Sequence, residues 1–246
     1  MRAGVKDSFL NCEFGKLSIL IAPTGYGKTS SIHYMWNEVE RSYPKVIHVL
    51  PLRALVSDVV KGAAEKMPLN YVSYQAMIRS IESRVGKIRK SPYLLSRYTV
   101  TTYDSFLTTL YIAPVSELHR FCSHRDVGFM SIALSFIIFD EAHIILATEE
   151  LEEDPSIEFV KSYSTLISSI YNLTRYLSAP ILFTSATLPA QIINSMLSWL
   201  HTYKGIPYRI DVCLGKYGRD YYKSKLKFKA LFHKLDEDFE AYSEEY

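Results

Sequence analysis

The sequence predicts an α/β fold, a mostly parallel sheet with helices on both faces, and three observations predict it. Short β-branched runs alternate with longer helical stretches along the chain, the pattern of strand–crossover–strand units. A glycine-bearing turn, Ala22-Pro-Thr-Gly-Tyr-Gly-Lys-Thr29, directly follows the first apolar run. A later apolar run, residues 136–139, ends in two adjacent carboxylates, Asp140 and Glu141.

Taken in order, residues 17–22 (LSILIA) read as a first buried strand, and a helix is expected over 30–40. Residues 45–50 (KVIHVL), 98–102, 135–140 (SFIIFD) and 180–185 (PILFTS) supply four more strands. Between the last two lies the clearest helix, about 157–176, where Phe159, Val160, Tyr163, Leu166, Ile167, Ile170 and Leu173 recur at three and four residues. Such a stripe packs on a sheet and carries structure, not chemistry. From Gly215 the character changes: Lys216, Lys223, Lys225, Lys227 and Lys229 cluster first, then Asp236, Glu237, Asp238, Glu240, Glu244 and Glu245. This reads as a solvated linker or domain edge, so the boundary is drawn between a main domain, 1–214, and a segment, 215–246. No internal repeat or low-complexity tract is present.

Length and composition set outer limits. The 246 residues suit one large domain or two small ones, and 48% hydrophobic content can fill a core. Lys and Arg number 28 against 26 Asp and Glu, a balance of +2. Bulk charge therefore does not announce nucleic-acid binding, which must rest on local patches. Cys12, Cys122 and Cys213 are scattered and form no CxxC pair, which argues against a disulfide framework or zinc ribbon. No apolar run follows the N-terminal charges, and none reaches the roughly 20 residues that span a bilayer. A cytoplasmic protein without a membrane partner is expected.

The chemistry begins at the glycine turn, which is the P-loop pattern with Ala22 in the place of its first glycine. Gly25 and Gly27 allow positive φ and let the backbone approach phosphates with no Cβ in the way. The N–H groups of the loop and of the following helix then form an anion nest. Residues Ala22, Pro23, Thr24, Gly25, Tyr26, Gly27, Lys28 and Thr29 are thus the candidate nucleotide contacts. Lys28 should reach the β- and γ-phosphates, and the Thr29 hydroxyl should sit on Mg²⁺. The carboxylates after residue 139 fall where a parallel sheet binds its ligands, at the C-terminal ends of its strands. Asp140 is suited to hold Mg²⁺, and Glu141 to orient and deprotonate an attacking water. His143 is ambiguous: it could cap or pack, or stand beside the γ-phosphate.

These residues resemble a family. The P-loop, Asp140-Glu141-Ala142-His143 and Ser185-Ala186-Thr187 look like motifs I, II and III of superfamily 2 helicases of the DEAH type. Pro51-Leu-Arg-Ala-Leu55 resembles motif Ia, and Thr101-Thr-Tyr-Asp-Ser-Phe-Leu107 motif Ib. The wording of motif Ib, of the DEAH box and of residues 185–189 is most similar to the helicase part of the CRISPR-associated type I interference helicase–nuclease.

The resemblance implies a first RecA-like domain that binds ATP through Thr24 to Thr29 and Mg²⁺ through Asp140, with Glu141 as catalytic base. It implies that His143, Ser185 and Thr187 couple the nucleotide state to domain movement. Pro51, Arg53, Thr101 and Thr102 would touch the backbone of a single strand, DNA rather than RNA. Such motors use a second RecA-like domain, in cis or trans, with an arginine finger; here Arg219 has no matching motif around it. A nuclease subunit and a CRISPR effector complex are the further partners implied. The same motifs also fit a nucleotide-gated interaction module or a DEAH-type RNA helicase.

Other features do not fit the pattern or leave it open. The only glutamines, Gln75 and Gln191, follow the P-loop, so the upstream glutamine that reads adenine in many relatives is missing. The run Arg79, Arg84, Lys87, Arg89, Lys90 and Arg97 reads equally as an electrostatic track for the strand or as a solvated helix face. His124, Arg125 and Asp126 read as a turn rather than a nuclease site.

Overall fold

The computed structural model describes residues 3–77, 80–111, 125–146 and 157–235. The five expected strands are present as β1 (Leu17–Ile21), β2 (Val46–Leu50), β7 (Tyr98–Thr102), β8 (Phe136–Phe139) and β9 (Ile181–Ser185). Four more, β3 (Val72–Gln75), β6 (Arg89–Lys90), β10 (Tyr208–Cys213) and β11 (Leu231–His233), extend the same sheet. Among the described residues these nine run in the order β11-β10-β1-β9-β8-β2-β7-β3-β6, and every pairing is parallel. A two-stranded antiparallel hairpin, β4 (Glu82–Ser83) with β5 (Gly86–Lys87), lies between β3 and β6 in sequence.

Alternation along each strand divides the core in two. Leu17, Ile19 and Ile21 of β1, with Ile137 and Phe139 of β8, face helices α5 (Tyr103–Leu110), α6 (Arg125–Ala133), α7 (Ala142–Leu146), α8 (Ile157–Arg175) and α9 (Ala190–Leu197). Leu20, Val46, Leu50 and Ile138 face α1 (Ala3–Leu10), α2 (Lys28–Tyr34), α3 (Trp36–Ser42) and α4 (Arg53–Ala64). Leu166, Ile170 and Leu173 of α8 are fully buried, each stabilising by about 1.5–3 kcal/mol relative to exposure. Phe159 and Val160 lie outside the described side chains.

Three local differences from the sequence reading have physical reasons. The helix expected over 30–40 starts at Lys28 and breaks at Met35 (φ −95°, ψ 9°) into α2 and α3. The bend lets Met35, Trp36 and Val39 all reach the core. Strands β3 and β10 lack a clean apolar run, because Ser73, Tyr74 and Gln75 interrupt the first and Asp211 sits within the second. Beyond Gly215, residues Lys216–Lys225 form α10, whose Tyr222 joins the core, and β11 pairs with β10. Residues 236–246, with all of the acidic run, lie outside the described residues, as do Cys122, Arg79 and His124.

Cys12 and Cys213 are buried free thiols, and burial pushes both up to about 12. No helix among the described residues is long and apolar enough to cross a membrane.

Candidate nucleotide site

Strands β1, β9 and β8 are adjacent and parallel, so the segments that leave their C-terminal ends emerge side by side. These are the turn of residues 22–29, Ser185 with Thr187, and the Asp140–Glu141 pair. In the turn, Gly25 and Gly27 take φ of 76° and 86°, values a Cβ disfavours even where space is open. Tyr26 instead turns its ring into the core beside α2. The two distant halves of the site meet directly: Thr29 Oγ1 donates to Asp140 Oδ2 at 2.5 Å across 111 residues of sequence.

Asp140 is fully buried, and four donors converge on its two oxygens. Oδ2 takes Thr29 and, at 3.2 Å, His48 Nε2. Oδ1 takes the Glu141 backbone N–H at 3.0 Å and the Thr184 hydroxyl. Burial alone would raise this carboxyl's pKa, but the bonds from His48, Thr184 and Thr29 outweigh it and hold the group well below the usual carboxylate range. This environment favours the ionised form of Asp140.

Glu141, next along, has φ of 52°. A non-glycine residue in the left-handed region is strained by roughly 1–3 kcal/mol, and such strain collects at working sites. The turn lifts its carboxylate out of the core toward His143, whose Nδ1 lies 3.3 Å from Glu141 Oε2 and 3.1 Å from Ser185 Oγ. Ser185 Oγ in turn accepts the Thr187 N–H at 3.2 Å. Hydrogen bonds thus link His143, Ser185 and Thr187 to the segment after β9, with the Glu141 carboxylate close beside the same ring nitrogen of His143.

Lys28 is buried and donates to the carbonyls of Ala22 and Pro23, at 2.8 and 3.0 Å. Burial lowers its pKa, with Glu141 and Asp140 opposing the shift. A groove opens over this assembly. Thr24, Gly25, Lys28, Thr29 and Glu141 line one wall, and Asp58, Val59, Gly62 and Lys66 from α4 and its end the other. Among the described residues no three His, Cys, Asp or Glu side chains gather to hold a metal unaided. Mg²⁺ brought by a nucleotide takes one or two carboxylates plus phosphates and water. A buried Asp140 beside a Thr hydroxyl is a hard-oxygen donor set that fits it.

The expected strand contacts occupy the same sheet edge further along, at the ends of the neighbouring strands β2 and β7. Arg53 opens α4 and is exposed, with Pro51 just before it. Thr101, however, is fully buried and donates to Gln75 Oε1 at 3.2 Å. The side-chain contact expected of it is not available in this arrangement. Thr102 caps α5 through Ser105 N. Within the basic run, Arg84, Lys87, Arg89 and Lys90 are exposed on and beside the β4–β5 hairpin and β6, not on a helix. Arg97 leaves the group: it precedes β7 at the opposite end of the strands, over the Tyr71 ring and 3.4 Å from Glu40.

His48, Thr184, Tyr98 and His33 were missed by sequence reasoning. Their one signal was a histidine inside an apolar strand run, KVIHVL. Gln75, at the end of β3, is occupied with Pro92 O and Thr109, away from the phosphate loop.

The family described as DEAD/DEAH box helicase matches residues 6–195. In fold, the chain is similar to T. fusca Cas3-ADP, with a TM-score of 0.56 and 18% identity over 84% of this chain and 23% of that one. T. fusca Cas3-ATP gives 0.53 and 18%, with the same coverage. The DUF1998 helicase MrfA bound to DNA gives 0.51 and 14%, over 85% of this chain and 27% of that one. The chain thus spans about a quarter of the length of these structures. No curated protein matches it.

Proposed function

The chain belongs to the DEAD/DEAH box helicase family, and from that premise we propose that it is the ATP-binding half of a nucleic-acid-dependent motor. The carrying observation is the 2.5 Å bond between Thr29 of the phosphate loop and Asp140 of the acidic pair. It brings the glycine turn and the acidic pair to one point, which supports reading them as phosphate cradle and Mg²⁺ anchor. Lys28 would bind the β- and γ-phosphates, Thr29 and Asp140 the metal, and Glu141 would take the proton of the attacking water. When bound, Mg²⁺ supplies neutralisation of phosphate charge. His143, Ser185 and Thr187 would carry the state of the γ-phosphate to a second RecA-like domain.

Pro51 and Arg53, with the helix start capped by Thr102, would meet a single strand along the same edge. DNA is the favoured strand and CRISPR interference the favoured setting. The wording of residues 101–107, 140–143 and 185–189 supports this, as does the likeness in fold to T. fusca Cas3. A nuclease and an effector complex would then be partners.

Calorimetry with Mg·ADP on the chain, and on a Lys28→Ala variant, tests the core of the proposal. Uptake by the first and its loss in the second are expected. No uptake by the unaltered chain would end the nucleotide reading.

A further inference from the structure

His48 occupies the middle of β2, a strand whose five residues are all buried. Its neighbours in that strand are all aliphatic: Val46, Ile47, Val49 and Leu50. A polar ring in such a setting is costly unless its nitrogens are satisfied. Both are. Nε2 lies 3.2 Å from Asp140 Oδ2, and Nδ1 lies 2.7 Å from the Tyr98 hydroxyl. Tyr98, also fully buried, is bonded in turn to His33 Nε2 at 3.0 Å. Both histidine rings stand edge-on to the Tyr98 ring, and Trp36 packs against it in the same way. Leucine and phenylalanine would fill these positions without any polar group to satisfy, so packing alone does not call for this chain of polar rings.

The surroundings of Asp140 indicate the direction of the bond. Asp140 already accepts the Glu141 backbone N–H at Oδ1 and the Thr29 hydroxyl at Oδ2, and a carboxylate surrounded by donors in this way is completed by a proton on His48 Nε2 aimed at Oδ2. The Tyr98 hydroxyl at the far side of the ring stops the imidazole from flipping or rotating away. His33, which lines the nucleotide groove, anchors that hydroxyl from behind. The arrangement parallels the outer partners that orient metal-binding side chains elsewhere.

We propose that His48 is a positioning residue for Asp140, pinned from behind by Tyr98, and that this buried pair sets how tightly the Mg²⁺ of a bound nucleotide is held. The proposal rests on the nucleotide-and-Mg²⁺ reading above, but one of its tests does not. Side-chain ¹⁵N–¹H spectra of the ligand-free chain should show His48 protonated at Nε2; an unprotonated Nε2 would overturn it.

The second test titrates Mg²⁺ against binding of fluorescent ADP. His48→Leu should raise the half-saturating Mg²⁺ concentration about 10-fold, the lower range for lost outer partners, with ADP affinity in EDTA unchanged. His48→Gln supplies an N–H for Asp140 and a carbonyl for Tyr98, and should restore most of the loss. Tyr98→Phe should fall between them, and it decides the matter if the leucine variant does not fold. An unchanged Mg²⁺ requirement in His48→Leu, or a glutamine variant no better than leucine, would reduce His48 to packing. Failure of the unaltered chain to bind ADP would strike the nucleotide reading instead, and the spectra would still judge the bond.

Discussion

At the residue scale the site is a set of groups held under constraint before any ligand arrives. Lys28 waits on the Ala22 and Pro23 carbonyls, Asp140 sits inside four donors that favour its ionised form, and Glu141 is held in left-handed backbone. Glu141→Gln keeps the side chain's shape but removes the carboxylate proposed above as the base. In a complete two-domain protein it should bind ATP normally and lower steady-state hydrolysis by about 10²-fold or more, the scale of a general base; hydrolysis at the unaltered rate would reassign the base.

Acid is a second probe. Burial, with His48 and Lys66 adding to it, pushes His33 down from the ordinary 6.5 to about 3. Between those values the unfolded chain takes up a proton that the folded chain refuses, so stability is lost as pH falls from about 6.5 toward 3. Asp140 acts in the same direction lower down, contributing above the usual carboxylate range and losing that contribution in stronger acid. Melting temperature should drop between pH 7 and pH 5, and His33→Gln should flatten that slope. The phosphate loop and the acidic pair were legible in the sequence because phosphate and metal chemistry demand particular residue types at set spacing. His48 and Tyr98 were not, since a histidine or tyrosine in an apolar run carries no mark of what it faces.

At the scale of elements, strands were legible where their runs were apolar and obscure where one polar residue was satisfied by a distant partner. Asp211 in β10 is the clearest case. Fully buried, it accepts two bonds from Arg209, at 2.6 and 3.0 Å, and one from His233 of β11 at 2.7 Å. Arg209 stands two residues away on the same strand face, but His233, 22 residues on, cannot be read from the flanking residues in the way a helix stripe can. The cluster ties the last strand to the sheet, so Asp211→Ala should destabilise by about 2 kcal/mol, the scale of hydrogen bonds to charged groups. Thermal melting would register this as a fall of about 4–8 °C for a chain of this size. Helix α8 behaved oppositely. Its stripe of Leu166, Ile170 and Leu173 declared both its period and its buried face, and only its last residue differed from expectation.

At the scale of the whole molecule, the α/β class was legible from the alternation of strands and helices, while the order of strands was not, because pairing is decided by contacts far apart in sequence. The acids follow β8, which is separated from β1 by β9 alone, a neighbourhood no local pattern encodes. The groove supplies only one side of a motor site in this reading. Transition-state charge stabilised by an arginine from a second domain is worth about 10³–10⁵ in rate. The chain by itself should therefore turn ATP over feebly. Adding a second RecA-like domain, fused or separate, should restore hydrolysis stimulated by a single strand. Comparing single-stranded DNA with RNA in that assay tests the preference, and no stimulation in either format would favour an interaction module.

The sheet's order has one more consequence. Strands β1, β9, β8 and β2 are interior, while its margins are β11 and the two-residue β6. Breathing of the native state begins where backbone bonds are fewest. The periphery should therefore trade its amide protons for deuterium first, and the central quartet last. Transient opening at either flank would leave the nucleotide-facing centre standing.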